Sequence, residues 1–390
     1  MTVPYEAPDT RFGLSLETAL DGIGDRVGLH EATYGAPFDA FVGKTDDDRL
    51  AAAFSYARAQ TRPPAIVLGN REYSLSKGPY PYFPGLRLVG SLGSGEREFA
   101  MTGPHSVVRV GGSALFAVPA GEVRNIWISG IQFRAASAST HFQVPVTDLA
   151  NGPRVQDATF IDLAWVGFAT VMHARHLRCR IDRTYCNEGT DTQFRLAGSD
   201  NYYWLTGGYL SSTKLAADRF YLHFPHMSRT DVGPLYITPE KATGIRIDGG
   251  YGGLTFTGTK LDSTGRDATR ACQGAAVLIT GGRGITFDKA WFFGNAVNPA
   301  ATGRTPADRG QVFIRGAAAD VTFMTPQFSG FDAQAGHTPS TTPAIYATST
   351  ARGVRVVAPM APNGGTKLIQ QQTAGTVSTF AADGWSLSVA

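Results

Sequence analysis

The stretch Leu254-Thr-Phe256-Thr-Gly258-Thr-Lys260-Leu261, followed 31 residues later by Ile285-Thr-Phe287-Asp-Lys289-Ala290-Trp291-Phe292, decides how this chain is read. In each, apolar residues at i and i+2 alternate with polar ones, a turn residue stands at i+4, and inward positions resume at i+5 and i+7. Alternation with period two marks a strand with one buried face, and the break at i+4 makes two short strands meeting at a corner. The same block recurs as Ile126-Trp127-Ile128-Ser-Gly130-Ile131-Gln132-Phe133, Cys179-Arg180-Ile181-Asp182-Arg183-Thr184-Tyr185-Cys186 and Tyr203-Trp204-Leu205-Thr-Gly207-Gly-Tyr209-Leu210. It continues from Val321 to Phe328 and from Val354 to Ala361, and weaker copies begin at Pro153 and Thr230.

Successive copies start 24 to 36 residues apart. A repeat of this length cannot bury its own apolar row and must stack on its neighbours. The expected fold is therefore all-β: a right-handed single-stranded parallel β-helix over residues 96–363. A sandwich or propeller is the competing architecture, and the drift in spacing argues against equal blades. Glycines at the i+4 corner, among them Gly130, Gly207 and Gly258, are placed where a residue without Cβ takes a sharp bend at no steric cost. The tail at 364–390, with Leu368-Ile-Gln-Gln-Gln and Trp385-Ser-Leu-Ser-Val389, reads as short strands closing the open end.

Composition agrees with this. The 390 residues contain 46 Gly and 22 Pro and are only 17% charged, which excludes a coiled coil; at 43% hydrophobic the chain is not a disordered tail. Net charge is +3, carried by 28 Arg and 7 Lys that are scattered rather than clustered, so no nucleic-acid partner is expected. No run of about 18 apolar residues marks a membrane span. The start, Met1 to Leu20, lacks a basic segment before an apolar one, so the chain is expected to stay in the cytoplasm unless released by lysis. Cys179, Cys186 and Cys272 have no paired metal-ligand spacing and read as buried thiols.

Before the repeat, residues 1–43 are irregular. Thr45 and three aspartates, Asp46 to Asp48, then precede Leu50, Ala53, Phe54 and Ala57, which describes an amphipathic helix over 46–59 with a favourable N-terminus, ended by Pro63 and Pro64. Short strands follow at Ala65–Leu68, Arg71–Leu75 and Leu86–Val89. This order of Tyr34-Gly-Ala, Thr45-Asp46-Asp47, helix, strand, Glu72-Tyr73 and Leu86-Arg-Leu-Val-Gly90 resembles the start of pectate-lyase-like superfamily proteins, phage tail-spike proteins above all. The resemblance covers residues 34 to 95 and implies a small helix, within 44–95, capping a right-handed parallel β-helix. It also implies a homotrimeric tail protein of a virion, joined to other tail proteins through residues 1–43 and binding host cell-surface polysaccharide. Because the superfamily holds lyases, hydrolases, epimerases and pure binders, the fold does not choose among reactions.

Register places candidate site residues. The i+6 row reads Gln132, Thr159, Tyr185, Tyr209, Tyr236, Lys260, Trp291, Gln327, an outward line of aromatics and a lysine suited either to stacking on sugar or to being covered by a loop or a neighbouring subunit. The i+1 row adds Trp127, Arg180 and Trp204, and the i+3 row Arg154, Asp182 and Asp288; arginines beside carboxylates also read as surface ion pairs. Glycosidic hydrolysis needs two carboxyl groups. Asp162 and Glu188, both at i+9 of consecutive copies, are the candidate pair, expected about one inter-strand spacing apart; the alternative is that both are turn formers. Lyase chemistry would instead use Arg178, Arg180 and Arg183 near Asp182. The Asn-Thr-Asp, Asp-Asp and Gly-His-Gly pattern of polygalacturonases is missing. His173, His176, His223 and His226 read as loop residues without the partners a Zn²⁺ site requires, no acidic triad fits Ca²⁺, and Gly281-Gly-Arg-Gly284 is not followed by a helix that would bind phosphate; no cofactor or metal is expected.

Overall fold

The structure, a computed structural model, describes residues 35–92, 105–205, 215, 219–237, 242–262, 275–293, 311–329, 344–360, 367–372, 374–380 and 385–389. Its strands are short and pair in parallel with the strand one coil before and one coil after. Parallel crossovers of this kind are right-handed, and the chain winds as a right-handed parallel β-helix with three strand faces.

On the first face one inward row runs without a break: Ile66, Leu88, Ile128, Phe160, Ile181, Tyr203, Val232, Phe256, Phe287, Phe323, Val356. All are buried. Phe256, Phe287 and Phe323 lie nearly parallel with ring centroids 4.5 and 5.2 Å apart, so the strand spacing itself sets the stacking distance. The second face repeats this with Tyr73, Val108, Phe133, Trp165 and Cys186, and farther along with Ile237, Leu261, Phe292 and Phe328. The third face does so with Phe194, Leu222, Ile245, Val277, Val312, Ile345 and Ile369. Lys367–Gln371 and Trp385–Val389 extend the third face in the same parallel register, and Val377–Phe380 extends the first.

The corner expected at i+4 is real. Gly130, Arg183, Gly258, Lys289, Thr325 and Ala358 all take a left-handed backbone conformation, φ between 45° and 66°. Asp162 belongs to the same set, which corrects the copy placed at Pro153: Phe160, not Val155, pairs with Ile128 and Ile181. Val155 ends the preceding coil in the third-face strand Arg154–Gln156, and Asp157, with φ 52°, turns the chain into the next. The apolar spacing Val155, Ala158, Phe160 fits either assignment, and only pairing separates them.

The helix Asp46–Ala59 forms as expected and closes one end. Thr45 and Asp48 make a reciprocal cap, each backbone N–H donating to the other's side chain at 3.2 and 3.1 Å. Its three aspartates tie the helix to the coils. Asp46 accepts from the Ser74 N–H, and Asp47 from the N–H groups of Ser76 and Lys77 and the hydroxyl of Tyr80. Burial alone would raise the Asp47 pKa, but the bonds from Tyr80, Lys77 and Ser76 outweigh it and hold the carboxyl below its ordinary value. Leu50, Ala53, Phe54 and Ala57 are buried, and Leu50 meets the inward Leu68, Tyr73, Leu75, Leu88 and Val108 around one small internal cavity. Cys179 and Cys186 are buried thiols, the former pushed up to about 12 by burial; Cys272 lies outside the described residues.

Candidate functional site

Two outward surfaces carry the residues picked from the sequence. On the second face Tyr236, Lys260, Trp291 and Gln327 stand on consecutive paired strands. Each is followed in sequence by its inward neighbour, Ile237, Leu261, Phe292 and Phe328, and Phe292 stacks on Phe328 at 4.7 Å. This inner row sets the outer one. Lys260 is exposed and its ammonium lies 5.4 Å from the Trp291 ring centroid, close enough for a cation–π contact. Tyr236 and Trp291 are half-buried, two strands or about 10 Å apart.

Toward the other end this row changes. Tyr185 follows Gln132 and Ala164 in register, but it is buried, clustered with Leu92 and Ala164, so it does not offer an open ring. Thr159 leaves the row, for the reason given above, and pairs with Trp127 and Arg180 on the first face. Tyr209 lies outside the described residues.

On the first face the outward row reads Arg87, Trp127, Thr159, Arg180, Tyr202, Asp231. Trp127 is 40% exposed. It shares with Arg62, Arg87, Asp157 and Thr159 an open groove of about 400 Å³. Arg180 lies over the Tyr202 ring at 5.5 Å. Trp204 was expected beside Arg180; the structure puts Tyr202 there, because Tyr203 and not Leu205 pairs with Ile181, so the copy placed at Tyr203 begins two residues earlier; a bulge after this pair then sets Asp182 and Arg183 against the one residue Trp204. Arg180, Asp182 and Trp204 are still brought together. Asp182 is fully buried although it points away from the core. One of its oxygens accepts from Arg180 and lies 3.7 Å from Arg183, and the other makes no hydrogen bond among the described residues.

Asp162 and Glu188 are not brought together. Asp162 sits at the corner after the first-face strand and is engaged by Arg183 through two bonds of 3.0 and 2.9 Å. Glu188 sits at the corner after the second-face strand, level with Gly167, and the strand Ala164–Val166 lies between the two corners. The one-spacing separation depended on the copy at Pro153 and falls with it. Most arginines near carboxylates do form surface pairs between neighbouring coils: Arg178 with Asp157 at 2.7 Å, Arg229 with Asp200 at 3.0 Å, Arg283 with Asp320 at 2.6 Å. Exposed as they are, these pairs add little to stability.

The histidines correct the sequence reading. His173 and His176 lie in the strand Met172–Leu177, not in a loop. His176 points inward, 3.1 Å from the Tyr203 hydroxyl, and burial pushes it down to about 3. His173 points outward, its Nε2 3.1 Å from the Thr192 carbonyl, and burial lowers it to about 4. His223, on the strand Phe220–Phe224, holds Asp248 at 2.6 Å; His226 is in a turn as expected. The alternation Met172-His-Ala174-Arg-His176 is the signal that would have placed the first pair on a strand. Among the described residues no group of three or more His, Cys, Asp or Glu side chains is arranged to hold a metal ion.

No family model matches this chain, and no curated protein does. Solved structures do. The A-module of the Azotobacter vinelandii mannuronan C-5 epimerase AlgE4 is 14% identical at a TM-score of 0.45, over 91% of this chain and 97% of that one. The tailspike protein of Acinetobacter baumannii phage AM24 is 12% identical at 0.33, over 88% of this chain and 52% of that one. Tailspike protein 3 of bacteriophage CBA120 is 11% identical at 0.31, over 95% and 61%. The strand pairing itself makes the fold a parallel β-helix. The chain spans about half to three fifths of the two tailspikes.

Proposed function

We propose that this β-helix binds the surface polysaccharide of a bacterial host as a phage tail spike or tail-tip adhesin, assembled as a homotrimer in the virion tail, made in the host cytoplasm and released by lysis. The observation that carries this reading is the row Tyr236, Lys260, Trp291. Aromatic faces stack on the apolar faces of sugar rings, while a phenol hydroxyl, an indole N–H and an ammonium bond sugar hydroxyls. A row with the strand repeat presents such groups along a line, as an extended chain of sugars requires. Residues 1–43 are the proposed link to other tail proteins.

A second reading, that the protein also cleaves the polysaccharide as a depolymerase, is favoured by Asp182, a buried outward carboxylate between Arg180 and Arg183 with one oxygen that makes no hydrogen bond among the described residues. One experiment addresses both. The full chain is incubated with capsular or cell-wall polysaccharide, and retention, new reducing ends and unsaturated uronates are measured, with light scattering for mass. Retention by a trimer without new ends supports the adhesin; new ends or unsaturated products establish the depolymerase; a monomer that retains no polysaccharide overturns the proposal.

A further inference from the structure

One histidine of the third face is oriented by a carboxylate and keeps a free ring nitrogen. His223, on the strand Phe220–Phe224, has Nε2 2.6 Å from Asp248 Oδ2. The other oxygen of Asp248 accepts from Arg246 Nε at 2.7 Å and from Thr280 Oγ1 at 2.6 Å. Burial alone would raise the Asp248 pKa, but the bonds from His223, Arg246 and Thr280 outweigh it and hold the carboxyl well below its ordinary value. An ionised acceptor assigns the tautomer: the imidazole proton sits on Nε2, and Nδ1 keeps its lone pair. Nδ1 makes no hydrogen bond among the described residues, and His223 is 8% exposed.

Two further groups stand beside this ring. Arg195 is opposite His223 on the preceding strand, about 4.8 Å away along the sheet. It is half-buried, its Nε is shut off from solvent and makes no hydrogen bond, and among the described residues no carboxylate pairs with it. The Phe220 ring centroid lies 5.5 Å from that of His223. A lone pair, a cation with an unused donor and an apolar ring are thus gathered on two adjacent strands. Polysaccharide binding uses none of them, but each has a place in the attack of water on a carbonyl.

We infer that His223, oriented by Asp248, is the general base of an ester hydrolase site that removes a small acyl group, such as an acetyl carried on a sugar hydroxyl. This activity goes beyond the proposed binding and does not rest on it. Water attacks the acyl carbon: its oxygen bonds to that carbon, its proton passes to Nδ1, and the carbonyl electron pair moves onto the carbonyl oxygen. Arg195 faces that oxyanion, the Asp248 carboxylate stabilises the imidazolium, and Phe220 takes the acyl methyl. The bond from the acyl carbon to the leaving oxygen then breaks, and that oxygen takes the proton back from Nδ1. The products are the acid and the free hydroxyl, and no glycosidic bond is cut.

The test is release of acetate by the full chain from 4-nitrophenyl acetate and from partially acetylated xylohexaose and mannohexaose. At least one is expected to be hydrolysed with a saturating rate. Burial lowers the His223 pKa against the pull of Asp248, and the facing Arg246 and Arg195 lower it further. The base is therefore free at neutral pH, and kcat is expected to be flat above about pH 6.5 and to fall only below it. His223→Gln is expected to lower kcat at least ~100-fold, and Arg195→Gln ~100-fold with KM little changed. No acetate from any substrate, an unchanged His223→Gln, or a rate that climbs with hydroxide without a plateau overturns the inference. Should His223→Gln fail to fold, the pH profile of the unaltered protein still decides. Polysaccharide retention without acetate release leaves the adhesin standing and removes this site; acetate release without retention does the reverse.

Discussion

The two outer faces of the β-helix change in opposite directions along its length. On the first face the outward row runs Arg87, Trp127, Thr159, Arg180, Tyr202 and Asp231 and then Thr255, Thr286 and Thr322 before Arg355. On the second it passes through the buried Gln132, Ala164 and Tyr185 and becomes the half-buried Tyr236, the exposed Lys260 and the half-buried Trp291. The inward rows beneath show no such change; both stay apolar and buried throughout. Inward positions answer to packing in every coil, because each is flanked by the coils before and after it. Outward positions answer to packing only where a loop covers them, as at Tyr185. Where no loop does, the residue is either a β-branched one that suits a pleated surface, as the threonines are, or one retained for what it touches.

The largest expected effect tests the uniformity of the inside. Phe287→Ala, in the middle of the Phe256–Phe287–Phe323 stack, is expected to destabilise the fold by about 3–5 kcal/mol, read as a lowered urea midpoint; Thr286→Ala, one residue away and outward, is expected to move it little. Equal effects from the two would abolish the distinction between rows. A smaller effect separates two corners with the same backbone. Gly130 and Gly258 have φ of 66° and 65°, but a Cβ on Gly130 would lie 2.6 Å from the Gly90 carbonyl oxygen, while on Gly258 the nearest atom is 4.0 Å away. Gly258→Ala should cost about 1 kcal/mol for the left-handed conformation alone, and Gly130→Ala more than about 2, measured by the same unfolding. The smallest effect bears on the outside. Trp291→Ala is expected to weaken polysaccharide binding up to about tenfold with unfolding unchanged, as loss of one aromatic contact of roughly 0.5–1.5 kcal/mol implies, while Thr322→Ala leaves binding as it was. If the threonine change weakened binding as much, the glycan would lie on the first face instead.

Much of the fold was legible because its physical cause is local. Alternation at i and i+2 and the corner at i+4 placed Phe256, Phe287, Phe323 and their turns correctly, and Thr45 with its three aspartates placed the helix. The copy at Pro153 went astray because a strand end and the next strand start put Val155, Ala158 and Phe160 at spacings that satisfy two registers. A five-residue error there moved Thr159 to another face and undid the pairing of Asp162 with Glu188. His173 and His223 were misplaced in loops, since the third-face strands that carry them lie beyond the corner pair that defined the repeat.

By itself the sequence determined that this chain stacks coils. An apolar row with no partner inside its own repeat has to be buried against copies of itself, and that requirement is written in the spacing. Which outward side chains meet was decided only by the tertiary structure. Residues 20 to 40 positions apart become neighbours through strand pairing, and loop lengths, which the apolar pattern does not constrain, set the register. Hence the row Tyr236, Lys260, Trp291 was readable where the corner residues were clear, and the pairing of Arg180 with Tyr202 was not.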